Sequence, residues 1–206
     1  MTKVTCRANR SRQRTALPPA ELRWASMKHI RPPGPSLRMV IRGVPIYVNW
    51  SLPFLGAAIA YLPAKHAGGS GVANYLAVLL CLVTLLVLHE VGHAVVARIC
   101  SLKVHAIVLS GYGGCCISDV PRRLSHAAFL AAGGLLAQLL VLVITIGFLL
   151  VDGSSQSIVV NSAVFALIGV NIVYMLVNLA PFQGSDGARL LVIAKQALSE
   201  LRKRRS

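Results

Sequence analysis

A pair of histidines four residues apart is the part of the sequence best suited to catalysis. The segment from His89 to His93 reads HEVGH. On a helix, residues at positions i and i+4 lie on one face, so both imidazoles can reach the same Zn²⁺. Glu90 would lie beside a water molecule on that ion, where a carboxylate can act as a general base. The pattern therefore predicts zinc ligation by His89 and His93 and catalysis by Glu90.

The residues around this segment favour a metal site over a chance match. The run TLLVLHEVGHAVVA is apolar except for Thr84 and the three ionisable side chains of the motif. A charged side chain at the centre of a membrane helix costs about 2.5–3.5 kcal/mol on insertion scales. Such groups therefore need a metal ion, a charged partner or water.

A third ligand must come from elsewhere, because a catalytic zinc ion usually has three protein ligands and one open position. The chain has only six acidic residues. Asp186 follows the last strongly apolar segment, where Pro181 ends a helix and Gly184 and Gly187 allow the chain to turn back. By itself, the segment Ser185-Asp186-Gly187 favours an N-cap for the next helix over a metal ligand. Beside the histidine pair, we favour ligation.

The elements that must position these residues are predicted to be membrane helices. Of the 206 residues, 55% are hydrophobic and 13% are charged, whereas soluble domains carry about 25% charged residues. Long apolar runs indicate membrane segments. Four such runs lie at about 49–64, 73–100, 125–151 and 158–180, the first of them short. The predicted fold class is an α-helical polytopic membrane protein with about four membrane segments.

Shorter elements are predicted between and after these segments. Residues 103–117 place apolar residues on both sides of a glycine-rich turn. This pattern predicts a small cytosolic β-hairpin, or a pair of short strands, between the second and third segments. Residues 38–48 predict a short extended element at the membrane interface. The apolar side of residues 187–203 predicts an amphipathic helix on the membrane surface.

Three regions follow from this reading. Residues 1–37 form a basic, proline-rich cytosolic leader that we expect to be disordered. Residues 38–187 form the membrane-embedded core, and residues 188–206 form a basic C-terminal helix.

The distribution of basic residues predicts the orientation. The net charge is +15, from 21 Lys and Arg and six Asp and Glu. If both termini are cytosolic, every Lys and Arg except Lys65 lies on the inner side, as the positive-inside rule requires. This placement favours the lipid bilayer as a partner and argues against nucleic acid. In a bacterium, the location would be the inner membrane.

The two motifs together resemble the site-2 protease family of intramembrane metalloproteases. That family pairs HExxH on one membrane helix with N-x-x-P-x-x-x-x-D-G after a later one. Here the second element runs from Asn178 to Gly187 and every fixed position is filled. The resemblance covers about residues 40–190. It implies that one Zn²⁺ per chain binds to His89, His93 and Asp186, and that Glu90 is catalytic.

Weaker parts of the resemblance extend to other positions. Gly113 and Gly114 resemble the Gly-Gly turn of the family's cytosolic hairpin, and residues 132–138 resemble its A-G-P-x-x-N stretch. Two departures fall in that stretch: Gly134 replaces the usual proline, and Gln138 replaces the usual asparagine with a longer carboxamide. A third is Ser185, where leucine is common. The chain resembles a near-minimal core of the family, without a PDZ or CBS domain.

Several residues are predicted to contact substrate. Asn171 and Asn178 are seven residues apart, so they share one helix face and should point into the bundle. Hydrogen bonding between helices is an equally good interpretation of this pair. Together with the residues from the resemblance, the predicted substrate-binding set is Gly113, Gly114, Gln138, Asn171 and Asn178.

The predicted function is hydrolysis of peptide bonds within or near the membrane helices of substrate proteins. The alternative is a non-catalytic membrane protein, either a pseudoprotease that binds membrane helices or a metal-binding protein. Glu90 argues against a pseudoprotease. The polar residues cluster at one level of the membrane, which argues against a transport pathway.

Overall fold

The computed structural model describes residues 34–66, 71–111, 113–152 and 157–205. The predicted leader therefore lies almost wholly outside the described residues. In the described part, the elements are β1 (Ser36–Ile41), β2 (Val44–Asn49), α1 (Ser51–His66), α2 (Val72–Ile99), β3 (Val104–Ser110), β4 (Gly113–Ser118), α3 (Leu124–Asp152), α4 (Ile158–Leu179) and α5 (Asp186–Arg205). Helix α4 contains one π-helical turn, Ala166–Val170.

Three helices of the described chain are long and apolar enough to cross a membrane. They are α2, α3 and α4, with stretches of 28, 28 and 22 residues that meet this condition. These confirm the last three predicted segments and make the chain a multi-pass membrane protein. The first predicted segment forms α1, which has 16 residues. At 1.5 Å per residue this is about 24 Å, short of the roughly 30 Å hydrocarbon thickness.

The four strands form one sheet in the order β1-β2-β3-β4. β1 and β2 make an antiparallel hairpin, whose turn places Arg42 and Gly43 at positive φ. β3 and β4 make the predicted hairpin between the second and third membrane segments. β2 and β3 pair in parallel, with Ile46 opposite Ile107. The extended element expected at 38–48 is thus a β-hairpin. It pairs with the second hairpin, although α1 and α2 lie between the two in the sequence. Long-range pairing of this kind leaves no local pattern in the sequence.

The sheet packs against α2 through an apolar cluster. Its buried members are Val44, Leu52, Leu86, Ala97, Val104, Ile107 and Leu109. By contrast, most of β1 is exposed. Because the cluster joins β2 and β3 to the later half of α2, it holds that half at a fixed distance from β4. The motif from His89 to His93 lies in this half.

Helices α2 and α3 touch through glycines. A Cβ atom on Gly133 would lie 2.9 Å from the Gly92 carbonyl oxygen, and one on Gly92 would overlap the Gly133 carbonyl. Small residues let membrane helices approach to backbone contact. Gly92 lies between the two motif histidines, so this contact places α3 directly beside them.

A short loop turns the chain from α4 into α5. Ala180 is extended, and Pro181 follows it. The Ser185 hydroxyl accepts a hydrogen bond from the Ala188 N–H at 3.1 Å and donates within the loop to Ala180 O at 2.6 Å. Ser185 is therefore the N-cap of α5. The capping role considered for Asp186 is taken by its neighbour, which leaves the Asp186 carboxylate free.

Candidate active site and metal centre

The motif on α2 is buried although its side chains are ionisable. His89, Glu90 and His93 are 4%, 3% and 5% exposed. Asp186, the first residue of α5, is 4% exposed, and its carboxylate lies beside the two histidine rings of the motif. Gly187 permits this approach, because a Cβ atom there would overlap the Leu179 carbonyl at the end of α4.

The three predicted metal ligands meet at one point. The Nε2 atoms of His89 and His93 are 3.2 Å apart. Each of them is also 3.2 Å from Oδ2 of Asp186. Among the described residues, this is the group of three potential ligands whose donor atoms lie within 4.8 Å of one another. The structure thus brings together residues that are almost one hundred positions apart in the sequence.

The histidine tautomers follow from the other ring nitrogens. His93 Nδ1 lies 2.8 Å from the Leu130 carbonyl oxygen, and His89 Nδ1 lies 3.0 Å from Oε1 of Gln138. These oxygens can only accept, so each Nδ1 carries the proton and each Nε2 presents a lone pair. Two Nε2 lone pairs and a carboxylate oxygen then face one another, an arrangement that a bound cation stabilises. Two imidazoles and one carboxylate are a donor set that suits Zn²⁺.

Asp186 presents its two carboxylate oxygens to different neighbours, with Oδ2 facing the two histidine Nε2 atoms. Its second oxygen, Oδ1, lies 3.6 Å from Nη1 of Arg189, whose side chain is 39% exposed. The carboxylate therefore has one oxygen for a metal ion and one for a guanidinium.

Glu90 lies next to the ligands but points to a different neighbour. Its carboxylate fills the space where a Cβ atom on Gly114 of β4 would be. Among the described residues, Oε2 of Glu90 has no hydrogen-bond partner. A buried carboxylate oxygen without a donor is available to accept a proton from a molecule that enters the site.

A cavity of about 260 Å³ opens onto these residues. Its other walls are residues 113–116 of β4, Tyr174 and Asn178 of α4, the loop at 182–185 and Arg189 of α5. β4 pairs with β3 on one side. Within the described part of the chain, its other edge has no strand partner. A polypeptide in the cavity would therefore pass along a strand edge and beside Glu90.

The two cysteines in this wall, Cys115 and Cys116, line the cavity. They are not part of the ligand group, which consists of His89, His93 and Asp186.

The predicted substrate-binding residues separate into two groups. Gly113, Gly114 and Asn178 line the cavity. Gln138 and Asn171 are fully buried, and Nδ2 of Asn171 donates to the Gln138 carbonyl oxygen at 3.0 Å. Asn171 therefore makes the interhelical hydrogen bond that was the alternative interpretation. Direct contact of any of the five with a substrate stays a prediction.

The sequence analysis did not single out Tyr174 and Arg189 as part of the site. The Tyr174 ring packs beside the His89 ring, with centroids 5.6 Å apart. Helical spacing could have indicated both residues, because Tyr174 is four positions before Asn178 and Arg189 is three after Asp186.

The fold has a counterpart among solved structures. Three chains of known structure are significantly similar, among them a site-2 protease from Methanocaldococcus jannaschii. The match has a TM-score of 0.54 and 23% identity, and it covers 81% of this chain and 73% of the other. It establishes a shared fold, the one that the sequence motifs resemble. No family model matches the chain, and no curated protein is significantly similar in sequence.

Proposed function

We propose that the chain is an intramembrane zinc metalloprotease, which hydrolyses peptide bonds within or near the membrane helices of other proteins. The observation that carries this proposal is the buried cluster of His89, His93 and Asp186 on and beside a helix of membrane length. Glu90 lies next to it, and its Oε2 has no hydrogen-bond partner in the part of the chain that the structure describes. The fold shared with a site-2 protease supports it.

His89, His93 and Asp186 would hold the metal ion. When bound, zinc supplies a Lewis acid that polarises the scissile carbonyl and makes water acidic enough to be deprotonated at neutral pH. The protein residues orient this chemistry. Gln138 and the Leu130 carbonyl direct the two imidazoles, and Arg189 holds the free oxygen of Asp186. Partners of this kind keep the ligand atoms in place.

Glu90 would carry the proton between water and the leaving group. Its Oε2 accepts the proton from the attacking water and later donates it to the amide nitrogen as the peptide bond breaks. Because the Glu90 side chain on α2 is only 3% exposed, bulk water does not compete with it for that proton.

The peptide must be extended to reach Glu90, because a helix hides its own amide groups. β4 offers its free edge along the cavity, so a substrate segment could pair with it as an added strand. Gly113 and Gly114 carry no side chains that would obstruct the approach. Substrates would thus be membrane proteins with a helix that unwinds easily near this site.

We retain the orientation that the basic residues favour, with both termini cytosolic. It requires the chain to cross the membrane through α1 as well, in keeping with the pairing of β2, before α1, with β3, after α2. The sheet and the metal centre then lie toward the cytosolic side. The chain would then receive its substrates from the bilayer, and nucleic acid is not among the proposed partners.

The test compares Glu90→Gln with the parent chain. The substitution preserves size and removes the base. Glu200→Gln is the matched control, because it makes the same change near the end of α5, away from the cavity. Each chain is expressed in the same cells, and peptides of the membrane fraction are sequenced to find new termini within membrane segments. A substrate found in this way is then cleaved in liposomes with purified enzyme.

We expect the parent and Glu200→Gln to produce the same fragments. Glu90→Gln should lower the cleavage rate by about 10²–10⁴-fold while its zinc content stays at the parent level. Undiminished cleavage by Glu90→Gln at normal zinc content would contradict the proposed mechanism. A pseudoprotease predicts no fragments from any of the three chains.

A further inference from the structure

We propose that Gln138 is a positioning residue for the metal site, and that the absence of a side chain at Gly134 is what allows it to act. Gln138 would hold His89 in the tautomer and orientation that metal binding requires. The inference rests on the proposed zinc site and assigns a role within it to a residue that sequence reasoning placed at the substrate.

The contact with His89 defines the role. Oε1 of Gln138 lies 3.0 Å from Nδ1 of His89, and both side chains are buried. Because the amide oxygen accepts the Nδ1 proton, the lone pair of His89 remains on Nε2, which faces His93 and Asp186. Gln138 does not line the cavity, so its side chain contacts the ligand and not the space for substrate.

Gly134 makes room for the imidazole. A Cβ atom at this position would overlap the His89 ring. Gly134 and Gln138 are four residues apart on α3, so they lie on the same face, one turn apart. The His89 ring therefore rests against the bare backbone of one residue and bonds to the side chain of the other. Tyr174 packs beside it.

This geometry links two departures from the pattern that the sequence resembles. Proline is usual where this chain has Gly134, and asparagine where it has Gln138. Both positions lie against His89. Gly134 leaves room for its ring, and the longer side chain of Gln138 reaches its Nδ1 atom. We infer that they act as a pair: with any side chain at 134, the ring would shift away from the acceptor at 138.

The side chain of Gln138 can be replaced without removing the hydrogen bond that its backbone carbonyl accepts from another helix. Asn171 binds to the Gln138 backbone carbonyl, and that bond survives any substitution. Nε2 of Gln138 has no hydrogen-bond partner among the described residues. Replacing the amide by an apolar group of similar size removes this unpaired donor and also the acceptor of Nδ1 of His89. In the metal-free chain the His89 ring can instead carry its proton on Nε2 and donate it to Asp186, so the stability of the metal-free fold should change little.

The experiment measures zinc affinity of the full-length purified chain by competition with a chelator, together with the melting temperature of the metal-free protein. Gln138→Leu keeps the size and removes the acceptor. Gln138→Glu keeps an acceptor at the same reach. We expect Gln138→Leu to bind zinc about 10–100-fold more weakly, as for other lost partners of metal ligands, with a melting temperature close to that of the parent. Gln138→Glu should bind at least as tightly as the parent.

A second pair of variants tests the space at Gly134. Gly134→Ala favours the helix but displaces the imidazole, so zinc affinity should fall by a similar factor. Gly147→Ala on the same helix is the control, because a Cβ atom there meets nothing within 4 Å. Its affinity should equal that of the parent.

The outcomes separate this inference from the proposed function. If the parent binds zinc and Gln138→Leu or Gly134→Ala binds it equally tightly, the positioning role is overturned and the metalloprotease proposal stands. Equal losses in Gln138→Leu and Gln138→Glu, in step with the melting temperature, also overturn it, because they indicate packing alone. A parent chain that binds no zinc overturns both.

Discussion

Two buried hydroxyls at one end of the helical bundle are bonded differently from the buried polar side chains at the other end. We call the half of α2, α3 and α4 next to the sheet the site end and the other half the far end. At the far end, Thr145 donates to the Val141 carbonyl and Ser162 to the Ile158 carbonyl, each at 2.8 Å within its own helix. At the site end, His89, His93 and Asn171 bond to α3 from other helices.

The difference separates polar groups that satisfy themselves from polar groups that define the tertiary structure. A hydroxyl bonded four residues back imposes nothing on neighbouring helices. A side chain bonded to another helix holds the two helices in one relative position. At the site end, hydrogen bonds between helices thus hold the metal ligands in place. At the far end, the hydroxyls of Thr145 and Ser162 place no such restraint on the neighbouring helices.

The glycines show the same contrast. Gly92, Gly133 and Gly134 at the site end have backbone or a ligand where a Cβ atom would lie. Gly147 toward the far end has open space. Close packing is therefore concentrated where the ligands must be positioned.

The strongest test of the comparison removes one polar group at each end. His93→Ala deletes a metal ligand, so zinc content should fall from about one ion per chain to near zero, and cleavage should be lost. Thr145→Val keeps the β-branched shape and removes only a hydroxyl bonded within its helix, so zinc content should not change. Metal analysis of both purified chains decides this. Zinc loss in Thr145→Val would show that the far end also supports the site.

The next test places a methyl group at one glycine from each end. Gly92→Ala forces α2 away from α3 and should destabilise the metal-free chain by about 1–3 kcal/mol, as is typical of overpacking. Gly147→Ala should leave stability unchanged or raise it slightly, because alanine favours a helix. Thermal unfolding in detergent measures both. Equal melting temperatures would mean that the helices separate at no cost, contrary to the comparison.

A smaller effect is expected from Arg189, at the boundary of the site end. Arg189→Gln frees Oδ1 of Asp186 and should weaken zinc binding by about tenfold, the lower end of such effects, because the guanidinium is partly exposed and screened. Lys195→Gln removes the same charge from an exposed position on α5. If both variants lose affinity equally, net charge and not the contact with Asp186 is responsible.

The smallest effect concerns an exposed polar contact at the base of the β3–β4 hairpin. The hydrogen bond from His105 and the Lys103 N–H lower the pKa of Asp119. A lowered folded-state pKa means that the stabilisation is fully present above the unfolded value of about 3.9 and is lost as the pH falls through the folded value. Asp119→Asn should therefore melt slightly lower than the parent at neutral pH.

The same difference should vanish in acid. Melting curves of both chains measure it from neutral pH to well below pH 3.9, the ordinary value for aspartate, so that the scan passes through the lowered folded-state pKa of Asp119. A difference that persists at the acidic end would mean that the carboxylate charge is not its source. Such exposed contacts are expected to contribute little compared with the buried bonds of the site end.

Much of the site was predictable because its signals are local. The spacing of His89 and His93 determines that they share a helix face, whatever surrounds that helix. The lengths of the apolar runs determine which helices can cross a membrane, and three of the four predicted segments are confirmed. The glycines at positions 111, 113 and 114, between two short apolar runs, predict the β3–β4 hairpin. Each depends on residues within a few turns or strands of one another.

Only the tertiary structure decided how these pieces meet. The parallel pairing of β2 with β3 and the contact of His89 with Gly134 and Gln138 join residues whose sequence carries no mark of the partner. The side chain of Gln138 suits a substrate contact or a histidine contact equally well. Its role is set by the approach of α2 to α3 at Gly92 and Gly133, because the distance between two helices depends on both surfaces at once.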